Sequence, residues 1–127
     1  MKKLFAWVMI GAMVMSLRMP NPPENLLTNT PLWMRYPVIS PDGKTIVFIY
    51  KGDIYQVAAT GGTAVPVTLS EAYDFMPVFS PDGKTIYFAS DRYGNFDVFS
   101  VPLQGGTTKR LTFNSSGDYP QCVSPDG

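Results

Sequence analysis

The chain has no histidine among its 127 residues. A Ser-His-Asp triad, a Cys-His pair and any His-ligated metal are therefore excluded within it. A single cysteine, Cys122, allows no internal disulfide. Charged residues make up only 16% and sum to zero, and from residue 36 onward six Lys or Arg face nine Asp or Glu, a net of −3. Such a segment is no partner for nucleic acid, whose binding rests on clustered cations that neutralise phosphates. The apolar run at 4–15 is shorter than the roughly 20 residues needed to cross a bilayer.

That run follows Lys2 and Lys3, and a basic start before a short apolar stretch fits a secretory signal peptide over residues 1–18, expected as a signal helix. No cysteine stands just after it, which argues against a lipoprotein anchor. No small-x-small cleavage site is present and Arg18 follows closely, so an uncleaved amino-terminal anchor stays open beside the cleaved reading. An exported protein, periplasmic or extracellular, with no membrane contact beyond this segment, is the expectation. Residues 19–31 are rich in proline and read as an extended linker.

The rest is organised by repetition. Ser-Pro-Asp-Gly occurs as Ser40, Pro41, Asp42, Gly43, again as Ser80, Pro81, Asp82, Gly83, and again as Ser124, Pro125, Asp126, Gly127. Proline presets φ, aspartate bonds back to the backbone and glycine accepts positive φ, so each motif reverses the chain. From Pro37 to Tyr50 the first copy matches the second at an offset of 40. From Asp53 to Thr68 the offset is 44, so four residues are missing from one hairpin. Length changes confined to connections mark a repeated structural unit.

Within the unit from 76 to 112, strands are expected at 77–79, 85–90, 97–101 and 108–112, with Lys109 and Arg110 suited to an exposed edge. Ile46 to Tyr50 and Ile86 to Ala89 are apolar on both faces, as inner strands buried on both sides must be. A period of about 40 to 45 residues with four strands marks a β-propeller blade. The fold class is thus all-β, with blades of four antiparallel strands. Blade 1 is placed at about 36–70, blade 2 at about 76–113 and the start of blade 3 at 119–127, within a partial propeller over 32–127. A propeller usually needs at least four blades to close, so the chain reads as a piece of a longer protein.

The pattern of Pro, a short strand, Ser-Pro-Asp-Gly-Lys, an apolar strand, Ser-Asp-Arg-x-Gly-Asn, Asp-Val-Phe, Gly-Gly and Leu-Thr resembles the WD40-like repeat of TolB-type propellers. It also resembles the amino-terminal propeller of secreted tricorn-like serine peptidases of the carboxyl-terminal-processing class. Residues 50–55, 72–77 and 90–97 tilt the resemblance toward the peptidases. It implies a propeller that gates or binds peptide ahead of a catalytic domain lying elsewhere. The alternative is a TolB-like periplasmic propeller that binds a protein partner without chemistry. A prolyl-oligopeptidase-type propeller is a third, weaker option and would require a downstream Gly-x-Ser-x-Gly.

No catalytic residue, metal ligand or cofactor is assigned. Ser40, Ser80 and Ser124 recur near lysines, but a residue repeated in each copy is more simply a turn former. Asp91, Asn95 and Asp97 bring oxygens together as calcium loops do, yet the EF-hand order is absent, and a solvated hairpin capping its own backbone is favoured. The glycine pairs at 61–62 and 105–106 join strands with no helix behind them and read as turns, not phosphate cradles. Loops carry recognition on a rigid scaffold. The candidate binding positions for a peptide or protein partner are Arg92, Tyr93, Asn95 and Phe96 in the longer hairpin, with Tyr73, Asp74 and Phe75 in the inter-blade connection, Phe75 more as a packing residue. Trp33 is expected to pack beneath the first blade, and Cys122 to be a small buried strand residue.

Overall fold

The computed structural model describes residues 33–127. Over that range the chain forms eight strands and no helix: β1 (Arg35–Ile39), β2 (Thr45–Tyr50), β3 (Asp53–Ala58), β4 (Val65–Pro66), β5 (Asp74–Phe79), β6 (Thr85–Ser90), β7 (Asp97–Pro102) and β8 (Lys109–Arg110). They make two four-stranded antiparallel sheets, ordered β1-β2-β3-β4 and β5-β6-β7-β8. The signal helix at 1–18 and the linker at 19–31 lie outside the described residues.

The two sheets repeat each other in register. Arg35 faces Ile49 where Phe75 faces Ala89, and Phe48 faces Tyr55 where Phe88 faces Phe99. Each first strand also carries the same irregularity, between Arg35 and Val38 and between Phe75 and Val78. At those bulges Tyr36 and Met76 take φ of 51° and 53°, a left-handed conformation that side chains with a Cβ rarely adopt.

The Ser-Pro-Asp-Gly turns have one internal bonding scheme. The Ser40 hydroxyl donates to Asp42 Oδ1 at 2.6 Å, Lys44 N donates to the same oxygen at 3.1 Å, and Thr45 N donates to Ser40 Oγ at 2.9 Å. Ser80, Asp82, Lys84 and Thr85 repeat it at 2.6, 3.0 and 3.0 Å. These donors hold the Asp42 and Asp82 carboxyls below the ordinary aspartate range, the serine hydroxyl contributing most. The third copy closes its turn as well, with Gly127 N donating to Ser124 O at 3.0 Å, and Asp126 is lowered by the Ser124 hydroxyl.

Cross-strand partners share a face, and the inner strands β2 and β6 are buried on both faces. Val47, Ile49 and Ile54 from the first sheet meet Phe79, Ile86, Phe88, Phe99 and Val101 from the second in one buried cluster. Burying a side chain such as Phe88 stabilises by about 1.5–3 kcal/mol. Two hydrogen bonds cross between the sheets: Gln56 Nε2 donates to Leu103 O at 2.8 Å, and Asp74 N donates to Gly52 O at 2.7 Å.

Four local expectations need correction. Asp74 and Phe75 belong to β5 and not to the inter-blade connection, because the bulge at Met76 lets the strand begin earlier than Pro77. The edge strand shrinks to Lys109–Arg110, and Arg110 is not a solvated edge residue but an ion-pair partner of buried Asp97. Cys122 is exposed. No strand forms at 119–123, where four residue steps separate Pro120 from Ser124 against three between Pro77 and Ser80. Trp33 is 62% exposed and so does not pack beneath the first sheet.

Candidate functional site

In an antiparallel four-stranded meander, the hairpin joining the second and third strands lies at the same end as the connection into the first strand. The β2–β3 turn, the β6–β7 hairpin and the 67–73 connection accordingly meet at one end of the two sheets. Contacts bind them there. Tyr73 N donates to Asp91 Oδ1 at 2.8 Å, Ser70 N donates to Asp53 Oδ1 at 3.0 Å, and Asp118 N donates to Phe96 O at 2.7 Å.

Arg92 is the hub of this end. Its Nε donates to Ser90 Oγ at 2.9 Å, its Nη1 to Thr108 Oγ1 at 2.7 Å, and its Nη2 to the two Asp74 oxygens at 3.0 and 3.2 Å. The guanidinium also lies over Phe99 at 4.6 Å and Phe88 at 5.6 Å. Asp74 is wholly buried, so the Arg92 charge and its two hydrogen bonds from Nη2 replace the hydration that the carboxylate gives up. A second buried pair stands beside it. Arg110 Nη2 approaches Asp97 Oδ2 to 2.6 Å, but neither Asp97 oxygen receives a well-directed hydrogen bond, so the contact is ionic only. The Arg110 guanidinium lies 4.8 Å from both the Tyr93 and the Phe113 ring centres.

The first sheet lacks this apparatus. At the repeat offsets Met34 stands for Asp74, Ala64 for Thr108 and Pro66 for Arg110, and Arg92 lies within the four-residue insertion. Only Asp53 persists in place of Asp97. Burial raises its carboxyl above the ordinary range, and the nearby Asp74 charge adds to the rise against the lowering Ser70 N–H bond.

The candidate positions are thus brought to one end in different roles. Tyr93 and Tyr73 are 64% and 40% exposed and reach solvent. Arg92 and Asp74 are spent on each other. Asn95 donates through Nδ2 to Asn114 O at 2.8 Å and Ser116 O at 3.1 Å, and Asp91 accepts from Tyr73, so this hairpin ties down neighbouring connections and not its own backbone. Phe96 and Phe75 meet edge to face at 4.8 Å and both contact Tyr119 at 5.7 Å. Among the described residues no group of three His, Cys, Asp or Glu converges as metal ligands.

Sequence reasoning missed a cleft of about 420 Å³ at this same end, lined by Trp33, Arg35, Ile49, Lys51, Gly52 and Tyr73. The Arg35 guanidinium sits 5.3 Å from the Trp33 ring. A Cβ at Gly52 would come within 3.3 Å of the Tyr73 ring, so the glycine lets that ring form a wall. One signal was available in the repeat itself: Arg35 occupies the position of Phe75.

Two self-similar four-stranded antiparallel sheets, stacked face to face, are blades of a β-propeller. The family described as the tricorn protease N-terminal beta propeller domain matches residues 27–127, and the chain belongs to it. Among solved structures, TolB from Acinetobacter baumannii is 32% identical, with a TM-score of 0.65 over 73% of this chain and 24% of that one. A putative TolB from Agrobacterium tumefaciens is 31% identical, with a TM-score of 0.66 over 78% of this chain and 36% of that one. The tricorn protease shares the fold at 22% identity, with a TM-score of 0.57 over 65% of this chain and 8% of that one. The chain therefore spans about a quarter to a third of the TolB structures it resembles. No curated protein matches it.

Proposed function

We propose that the chain is part of the amino-terminal propeller of an exported tricorn-like serine peptidase, where it binds and gates peptide while other parts of the protein carry the catalytic groups. The observation that carries this reading is the gathering of hairpins and connections at one end of a rigid two-sheet scaffold, with Tyr73 and Tyr93 facing water. Rigid aromatic side chains bind peptide with little loss of conformational freedom.

Photo-crosslinking of a peptide library to the full-length protein tests it. Tyr73→Ala and Tyr93→Ala are expected to lower crosslinking at this end while leaving the melting temperature within a few degrees. Unchanged crosslinking with lowered stability would leave these rings as packing groups alone.

A second reading, a non-catalytic TolB-like module that binds a protein partner in the periplasm, draws on the higher identity to the two TolB structures. The sequence beyond residue 127 in the full-length protein separates the two. A serine peptidase core supports the first, and further blades followed by a stop support the second.

A further inference from the structure

We infer that the cleft lined by Trp33, Arg35, Lys51 and Tyr73 selects extended peptides that carry an acidic side chain. The inference rests on the peptide-binding reading above and adds the chemistry that reading leaves open. Arg35 and Lys51 line the cleft together with two aromatic walls, Trp33 and Tyr73, and the buried Ile49 side chain, and the Lys51 ammonium lies 5.4 Å from the neighbouring Tyr50 ring. No carboxylate among its lining residues answers those cations, and among the described residues neither Arg35 nor Lys51 forms an ion pair. From residue 36 on, negative charge predominates in the sum, six Lys or Arg against nine Asp or Glu. A guanidinium offers a planar fork to a carboxylate, and an ammonium beside it adds charge without demanding geometry.

Two further observations separate these residues from ordinary blade architecture. Arg35 and Phe75 hold the same ladder position, opposite Ile49 and Ala89, yet only Phe75 joins an aromatic cluster, with Tyr36, Tyr73, Phe96 and Tyr119. The blade does not need a cation there. Lys51 takes φ of 53° beside Gly52 at 91°, in a two-residue turn that favours Asn or Gly at its first position. A lysine held in that conformation is strained, and strain of this kind gathers at working sites.

The test is fluorescence anisotropy of the full chain with a labelled peptide blocked at both ends and bearing one Glu beside one Phe, compared with its Gln twin. The Glu peptide is expected to bind about tenfold more tightly at low ionic strength, with the preference shrinking at ~0.5 M salt. Arg35→Gln with Lys51→Asn should abolish the preference, and Asn suits the turn, so circular dichroism should show the fold retained. Equal binding of the two peptides, or a preference that survives both substitutions, would overturn the inference but spare the peptide-binding reading. Failure of both peptides to bind would overturn both readings. A Gln peptide with a free carboxyl terminus that binds like the Glu peptide would assign the cleft to chain ends and overturn selection by side chain.

Discussion

Ser80 ties two groups together with one hydroxyl, donating to Asp82 and accepting from Thr85 N. Ser80→Ala should cost about 1 kcal/mol, since a partly buried donor and acceptor both lose their partner. Acid acts on the same turns. The Asp42 and Asp82 carboxyls titrate below the usual 3.8, so the stability they add is present above that value and is lost as pH falls through their lowered folded-state pKa. Asp53 behaves oppositely. Its raised carboxyl favours the folded state most below 3.8, and that advantage fades as pH rises through its folded-state pKa. Asp53→Asn, which keeps an oxygen for Ser70 N, should therefore raise the melting temperature at pH 7 and leave it nearly unchanged at pH 3, as calorimetry at the two pH values would register. The buried pair makes a sharper case. Arg92→Ala strands the fully buried Asp74 and should cost up to about 5 kcal/mol, while Asp74→Ala should cost about 3 because Arg92 can turn toward water. The double variant should cost less than the sum, which urea melts would reveal as coupling.

At the scale of elements, the β2–β3 turn carries an avoidable conformational penalty. Lys51→Gly should stabilise the chain by up to about 1 kcal/mol, because glycine accepts a φ of 53° that lysine resists. If the cleft works as inferred, the same substitution should weaken acidic peptides, and thermal melts alongside binding would expose the trade. Elements were also where the sequence was most readable. The strands at 45–50, 85–90 and 97–101 could be read almost to the residue, since apolar runs bounded by Ser-Pro-Asp-Gly and glycine pairs leave little latitude. The start of β5 could not. A bulge with a left-handed methionine ahead of proline breaks the alternation from which strands are recognised. Arg110 and Cys122 were misjudged for a related reason: the partner of one lies 13 positions upstream, and the burial of the other depended on a strand that residues 119–123 do not form. The cleft escaped notice because its walls come from three separate connections that only the stacked sheets bring together.

For the molecule as a whole, stability resides in the face that the sheets share. Phe88→Ala should cost about 3–5 kcal/mol. Because Phe88 touches the cluster that includes Val47 and Ile49, hydrogen exchange should quicken in β2 as well as in β6. Loss of protection confined to β6 would mean that the sheets unfold independently.

The hairpin between the second and third strands has two residues in one sheet and six in the other, yet Tyr50 faces Asp53 as squarely as Ser90 faces Asp97. Such tolerance makes the hairpin a socket. Residues 91–96 could be grafted in place of Lys51 and Gly52 without shifting a rung of the ladder, so what a blade recognises can be rewritten while the instructions for building it stay as they are.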